Sequence, residues 1–182
     1  TLHIPHFFIK FTKNMLWILT LTLWQSCHFF SSEPESLADL KQTQIQAKSG
    51  EVIETRMAIT SEQQTQGLSG VQAKDFQDNE AMLFFNLYDE TRYFWMPDTY
   101  FDLDLFYLNA DLVVIDIDRN LPHYVGRENP DAIPRARPVY CRHVLEMKAS
   151  SPLAKKIQIG DQLTWKGPYS LEQTTQGIRR YR

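Results

Sequence analysis

Hydrophobic and polar residues change their spacing several times along this chain, and each change marks an element. In "EVIETRMAI" (51–59), Val52, Met57 and Ile59 take roughly alternate places among polar neighbours, the period-two pattern of a strand with one face covered. "TSEQQTQGLSG" follows. Thr60 or Ser61 can cap a helix through its hydroxyl, Glu62 lies in the first turn and Gly67 can close the end, so a helix of about two turns is predicted. "AMLFFNLY" (81–88) is apolar at nearly every position, as in a strand buried on both faces. Asp89-Glu90 turns the chain, "TRYFWM" returns as a strand, and Pro97 ends it for want of a ladder donor. In "FDLDLFYL" the residues Phe101, Leu103, Leu105 and Tyr107 alternate with Asp102, Asp104, Phe106 and Leu108. Asn109–Asp111 makes a hairpin turn to the partner strand "LVVIDID".

A Pro-punctuated stretch, residues 120–138, then interrupts the pattern. Loops of that length inside a compact domain are more often functional than not. "VYCRHVLEMKA" is a further strand, "SPLAKKIQIG" a short helix started by Ser151 and Pro152, and "DQLTWKG" a last short strand. Strands outnumber helices, so the predicted class is mainly β, a small barrel or sandwich of antiparallel strands with two short helices. Residues 50–167 form this domain, and 168–182 are expected to be a loose tail.

The first thirty residues have a different composition. Lys10 and Lys13 precede the apolar run Met15–Trp24, which ends at Ser26-Cys27 and gives way to "SSEPES". A positive flank, a short apolar stretch and a small residue at its end are the layout of a secretory signal. The run is short of the ~20 residues of a spanning helix. Residues 1–27 are therefore read as a signal or lipoprotein-like segment or an N-terminal anchor, with Cys27 a lipidation candidate. Residues 28–49, polar and with only a weak helical tendency over Leu37–Ile45, are read as a flexible tether. Export to the periplasm or cell envelope follows, with membrane attachment through this segment or a lipid only. With two cysteines in 182 residues, no disulfide framework is expected.

Composition narrows the chemistry. The chain is 43% hydrophobic, enough for one core, and its net charge of −3 argues against nucleic acid as a partner. Seven glycines leave little room for a phosphate-cradling loop, and no Gly-x-Ser-x-Gly elbow is present. Asp102, Asp104, Asp116 and Asp118 are split between the faces of a hairpin, and His123, His143 and Cys141 lack the spacing of zinc motifs, so neither a metal nor another cofactor is expected. Cys141 and His143 are too far apart along one strand for a nucleophile and base.

"AITSEQQTQGLSG", "AMLFFNLYDETRYFWMPDTYFDLDLFYLNADLVVIDI", "VYCRHVLEMKA" and "IQIGDQL" together resemble the blocks of the bacterial and archaeal family called domain of unknown function 192. The resemblance covers about residues 50–166 and implies a fold and an often envelope-associated setting, without a reaction. Ala81 stands where the family has Gly, and Pro97-Asp98 replaces a Lys-Asn pair.

Candidate site residues follow from chemistry. Trp95, Asp98 and Thr99 offer an aromatic surface and hydrogen-bonding groups on one bend. Tyr124 can stack on a ligand, and Arg127, with Arg135, Arg137 and Arg142, suits an anion. Asp104, in an apolar segment, needs partners if buried. The backbone of the 97–99 turn or an arginine, Arg92 or Arg142, is expected to supply them, making a clamp that fixes the bend. The expected function is non-enzymatic binding of a small anionic ligand, a polysaccharide or an envelope protein. The alternative is a hydrolase using Asp98 or Asp104, in which these and Glu146 would meet in one cleft.

Overall fold

The computed structural model of the protein describes residues 33–181. Nine strands are present among them: β1 Gln42–Gln46, β2 Val52–Ala58, β3 Glu80–Phe84, β4 Glu90–Arg92, β5 Leu103–Leu108, β6 Val114–Leu121, β7 Val139–Cys141, β8 His143–Lys148 and β9 Thr164–Trp165. The helices α1, Ser61–Gln66, and α2, Leu171–Tyr181, complete the mainly β fold. Seven strands form one curled sheet in the order β6-β5-β8-β3-β2-β1-β9, and β4 pairs with β7 in a second small sheet. All pairings are antiparallel except β2 with β3, which the connection through α1 makes parallel.

One short stretch ties the outer edges of the sheet together. Gly160 donates to the carbonyl of Val114, Val114 to that of Asp161, and Leu163 to that of Leu112. The same chain then runs on as β9 and pairs with β1. The start of β6 and the end of β1 are thereby bonded to one stretch of chain.

Both faces of the sheet are covered. Inside the curl, Ile45, Ile53, Leu83, Phe106, Leu108, Leu145 and Met147 form the main core. On the outside, the loops after α1 and around residues 94–101 and 124–139 cover Phe84, Leu103, Leu105, Tyr107 and Val144. All six residues of β5 are buried, which is why its alternation reads as two apolar stripes.

Asp104 lies on the inner stripe, 2% exposed. Its Oδ2 receives Nη1 of Arg119 at 2.6 Å, and its Oδ1 receives the Asn120 N–H at 2.9 Å. The register explains both bonds. Leu103 faces Leu121 while Leu105 faces Asp118, so Asp104 stands opposite two residues of β6, Arg119 and Asn120. Such a bulge leaves an N–H outside the ladder, and Asn120 takes the left-handed conformation with φ 53°. The carboxylate answers that N–H. Arg119 goes on to donate to the carbonyls of Ala154 and Ile157 and lies over the Phe106 ring. The clamp thus fastens the end of β6 and the 154–157 turn. It does not reach the 97–99 bend, and its cation is neither Arg92 nor Arg142. Arg92 bonds Glu90 and the Tyr88 carbonyl, and Arg142 holds Asp89.

Several other expectations are corrected. The tether read over 28–49 contains a 3-10 turn, Leu37–Leu40, and β1, in which Thr43 and Ile45 point inward between outward glutamines. The tail is not loose. α2 packs on Leu37–Leu40 with Ile178 buried, and Ser170 and Gln173 cap it reciprocally. A side chain at Gly177 would come within 2.7 Å of Pro34, so this close approach requires glycine. "TRYFWM" forms a ladder only over Glu90–Arg92, joined by an isolated bridge from Trp95 to Arg135. The strand read in "VYCRHVLEMKA" breaks at Arg142, and the helix read in "SPLAKKIQIG" is a single 3-10 turn, Ala154–Lys156. Residues 1–27, with Cys27, lie outside the described residues.

Asp104→Ala is expected to lower the unfolding free energy by about 1–3 kcal/mol, because the Asn120 donor and the Arg119 guanidinium lose their acceptor. Asp104→Asn, which keeps an acceptor, should lose less. Urea unfolding measures both, and an Asp104→Ala midpoint equal to that of the parent would show that the clamp contributes nothing.

Candidate functional site

A cleft of about 320 Å³ opens on the outer face of the sheet. One wall is the end of α1 and the turn after it, residues 64–69, and the other is the segment 91–97. Phe84 of β3, Leu103 of β5 and Glu146 of β8 form the floor.

Local sequence sets each wall. Thr60 and Gln63 cap α1 reciprocally, so the helix starts where its first hydroxyl stands. Gly67 ends it at φ 50°, and a β-carbon there would sit 3.1 Å from the Phe84 ring, so the turn can lie close over the floor only as glycine. The Gln64 amide donates to the carbonyls of Ala58 and Phe85 and to Asn86 Oδ1, which holds this wall against β2 and β3. Phe94 meets Phe84 edge to face at 4.8 Å.

The 95–99 bend is fastened to the long loop. Met96, Asp98 and Thr99 donate their N–H groups to the carbonyls of Pro134, Gly126 and Tyr124. The Thr99 hydroxyl donates to the Met96 carbonyl and accepts from the Tyr124 N–H. The Ser69 hydroxyl donates to the Pro97 carbonyl at 2.6 Å, joining the two walls at their base. Asp98, at φ 52°, accepts from the Tyr100 hydroxyl and lies outside the cleft lining.

Glu146 is the chemically distinctive group. It stands on β8 between Met82 and Leu105, 5% exposed, and among the described residues no hydrogen bond or ion pair reaches its carboxyl group. Burial alone raises its pKa to about 8, since loss of water disfavours the charged form and no cation offsets it. The two buried acids that stand in strands therefore differ in kind. Asp104 has its donors, and Glu146 has only the cleft.

Of the residues singled out in the sequence, Trp95, Thr99 and Arg92 line this cleft. Tyr124 is half-buried against the outer core and meets the bend through its backbone. Arg127 is exposed, and Arg142 is held by Asp89 at 2.7 Å. Arg137 pairs with Asp116 and Asp118. Of the arginines singled out, only Arg92 lines the cleft. Asp98, Asp104 and Glu146 do not show the convergence that the hydrolase reading needs. Cys141 is buried with its thiol pushed up to about 11 by burial, which leaves it protonated at neutral pH. His143 is kept neutral, its pKa lowered to about 3 by burial and then by Arg142 and Arg92, and its Nδ1 accepts the Asn86 N–H. Among the described residues no group of three His, Cys, Asp or Glu side chains is placed to hold a metal ion.

Reading the sequence for the site passed over Gln64 and Asn86, and gave Glu146 no place in the binding surface. The signal for Glu146 was present: a lone acid inside the apolar run "HVLEMK", the same pattern that draws attention to Asp104.

Two solved structures are similar to this chain. One is a candidate transcription regulator from Sinorhizobium meliloti 1021, 25% identical, with a TM-score of 0.52 over 68% of this chain and 92% of that one. The other is a protein of unknown function from Novosphingobium aromaticivorans DSM 12444, 26% identical, with a TM-score of 0.54 over 68% of this chain and 84% of that one. No curated protein matches the chain. A family model matches residues 43–165, more than half of the chain and the whole of the curled sheet from Thr43 to β9 apart from β1's first residue. The chain belongs to the DUF192 family, described as an uncharacterized ACR.

Proposed function

We propose that this chain is a non-enzymatic binding domain, carried at the cell envelope by its N-terminal segment, and that the cleft above Glu146 takes a small polar ligand. The observation that carries the reading is the buried carboxyl group of Glu146, which lines the cleft with no partner among the described residues. A carboxyl group largely withdrawn from water and without a neighbouring donor gains when a ligand supplies one. The volume of about 320 Å³ and the mixture of rings and amides suit a small molecule. Trp95, 49% exposed at the rim, is placed to report its arrival.

An anionic ligand is the weaker form of this reading, because the ionisable group of the floor is an acid and Arg137 and Arg142 are held by aspartates elsewhere. Chemistry at the cleft would need a second acid or a nucleophile beside Glu146. The Ser69 hydroxyl is committed to the Pro97 carbonyl, and Asp98 and Asp104 lie elsewhere. Transcription regulation, the description of the Sinorhizobium meliloti protein, gains no support from a chain of net charge −3.

Titrating the full chain with sugars, amines and carboxylates should give a saturable change in tryptophan fluorescence for one class, weakened at least tenfold by Glu146→Gln. Silence from every class, or undiminished binding by the variant, would remove the proposal.

Stability should also depend on pH in a defined direction. The folded Glu146 binds its proton more tightly than the unfolded chain does, about 8 against an ordinary 4.5. Its contribution is complete below pH 4.5 and declines as pH rises towards 8. Melting curves between pH 5 and 8 should show this decline in the parent and lack that component in Glu146→Gln.

For the N-terminal segment, the mass of the protein recovered from an exporting bacterium should correspond to a chain beginning at or near Cys27, with or without an acyl group. An uncleaved chain in the cytoplasmic fraction would refute the export reading.

A further inference from the structure

Resting on the binding reading, the geometry points to a ligand that carries a positively charged nitrogen, an alkylammonium or quaternary ammonium group, with Glu146 as its counter-ion among the rings of Phe84, Phe94 and Trp95. Each part of this follows from what lines the cleft. An ionised carboxylate with little exposure is held more strongly by a full charge of opposite sign than by a neutral donor. Aromatic faces are electron-rich and attract cations, and Phe84, Phe94 and Trp95 are among the aromatic residues that line the cavity holding the acid. Among the described residues none brings a cation to this acid, as the surrounding charges show.

Arg92 lines the same cleft, yet its guanidinium is engaged by Glu90 and by the Tyr88 carbonyl. Tyr93, the other titratable group of that wall, is exposed. Two residues along β8 on the same face, Lys148 donates to the Ala73 carbonyl. On β2 and β3, Arg56 and Glu80 hold each other at 2.9 Å. On β5 the Tyr107 hydroxyl donates to Asp118, and α1 brings only Glu62, exposed in its first turn. None of these offsets the burial of Glu146, which is the sole cause of its raised pKa.

The proton balance gives the inference its test. With its pKa raised to about 8, the Glu146 carboxyl is largely protonated at pH 7 before a cation binds. When the cation binds, the carboxyl O–H bond breaks, the proton passes to the buffer and the ligand's charge takes its place. Binding of a cation therefore tightens by about tenfold per pH unit below pH 8 and levels off above it, whereas binding of a neutral molecule to the protonated acid does not tighten with pH.

Choline and its uncharged carbon isostere, 3,3-dimethylbutan-1-ol, differ in charge and hardly in shape. Calorimetric titration of the full chain with each, and with glucose, at pH 6, 7 and 8 separates the possibilities. The expected result is choline binding that strengthens about tenfold from pH 6 to 7 with release of close to one proton, and isostere binding at least tenfold weaker. Glu146→Gln should abolish the pH dependence. Trp95→Leu, a change at the partly exposed rim that leaves Glu146 intact, should weaken choline while keeping the pH dependence. Choline affinity that is flat with pH, or equal affinity for the isostere or glucose, overturns the cation assignment and leaves the cleft as a site for neutral ligands. Failure of all three probes to bind overturns the cation assignment. If sugars, amines and carboxylates also leave the tryptophan fluorescence unchanged, the binding reading falls with it.

Discussion

A carboxyl group removed from water must be met by donors, and this fold places one acid on each side of its sheet under that constraint. Asp104 enters the inner core from β5, and Glu146 enters the outer layer from β8. The strands are neighbours, with Asp104 opposite Met147 and Leu105 opposite Glu146. On the inner side the demand shaped the backbone. β6 carries an extra residue opposite Asp104, Asn120 takes a left-handed conformation there, and Arg119 reaches from the carboxylate to the carbonyls of the 154–157 turn. The chain after that turn closes the sheet by bonding to Leu112 and Val114 and then pairing with β1, so the acid is linked through few steps to the closure of the curl.

The outer layer is held by different means. Loops cover it, and these loops are fixed by backbone bonds from 96–99 to 124–134 and by the Ser69 hydroxyl. Side chains could therefore be left unpaired there without loosening the sheet. The acid of the inner face belongs to the clamp, while the outer face keeps an acid without a partner among the described residues. That division of labour explains why the cleft lies where the long loop and the α1 turn meet over β8.

Much of the fold was legible in the sequence, and the reasons for what was not are physical. The alternation of 101–108 gave the register of β5, and Thr60 and Gly67 gave the limits of α1, because both signals are local. β1 was hidden because its inward residues, Thr43 and Ile45, are few and glutamines surround them. α2 was hidden because its mean composition is polar, although Ser170 and Gln173 at capping spacing marked its start. Burial of Asp104 could be inferred from its apolar neighbours, but its cation could not. Arg119 comes opposite through a one-residue bulge, and no period in the sequence announces a bulge. The arginines of 127–142 misled for a similar reason: Arg137 and Arg142 are satisfied by Asp116, Asp118 and Asp89, which only the folded chain brings near.

Glu146 is where local sequence logic and the fold disagree, and that disagreement is informative. A leucine or methionine at this place would continue the apolar floor of Leu103 and Phe84 and remove the desolvation that raises the acid's pKa. Alternatively, a cation on Met82 or Leu105, its direct cross-strand neighbours, would pair it as Arg119 pairs Asp104. The chain does neither, and it keeps the volume in front of the carboxyl open. Places where a sequence breaks a rule of stability without a compensating contact are characteristically functional. Here the missing contact has a definite chemistry, a donor of positive charge, and a definite position, between two walls that the structure fixes by other bonds. Among the described residues no side chain completes this site, and the proposed ligand cation is the group that would.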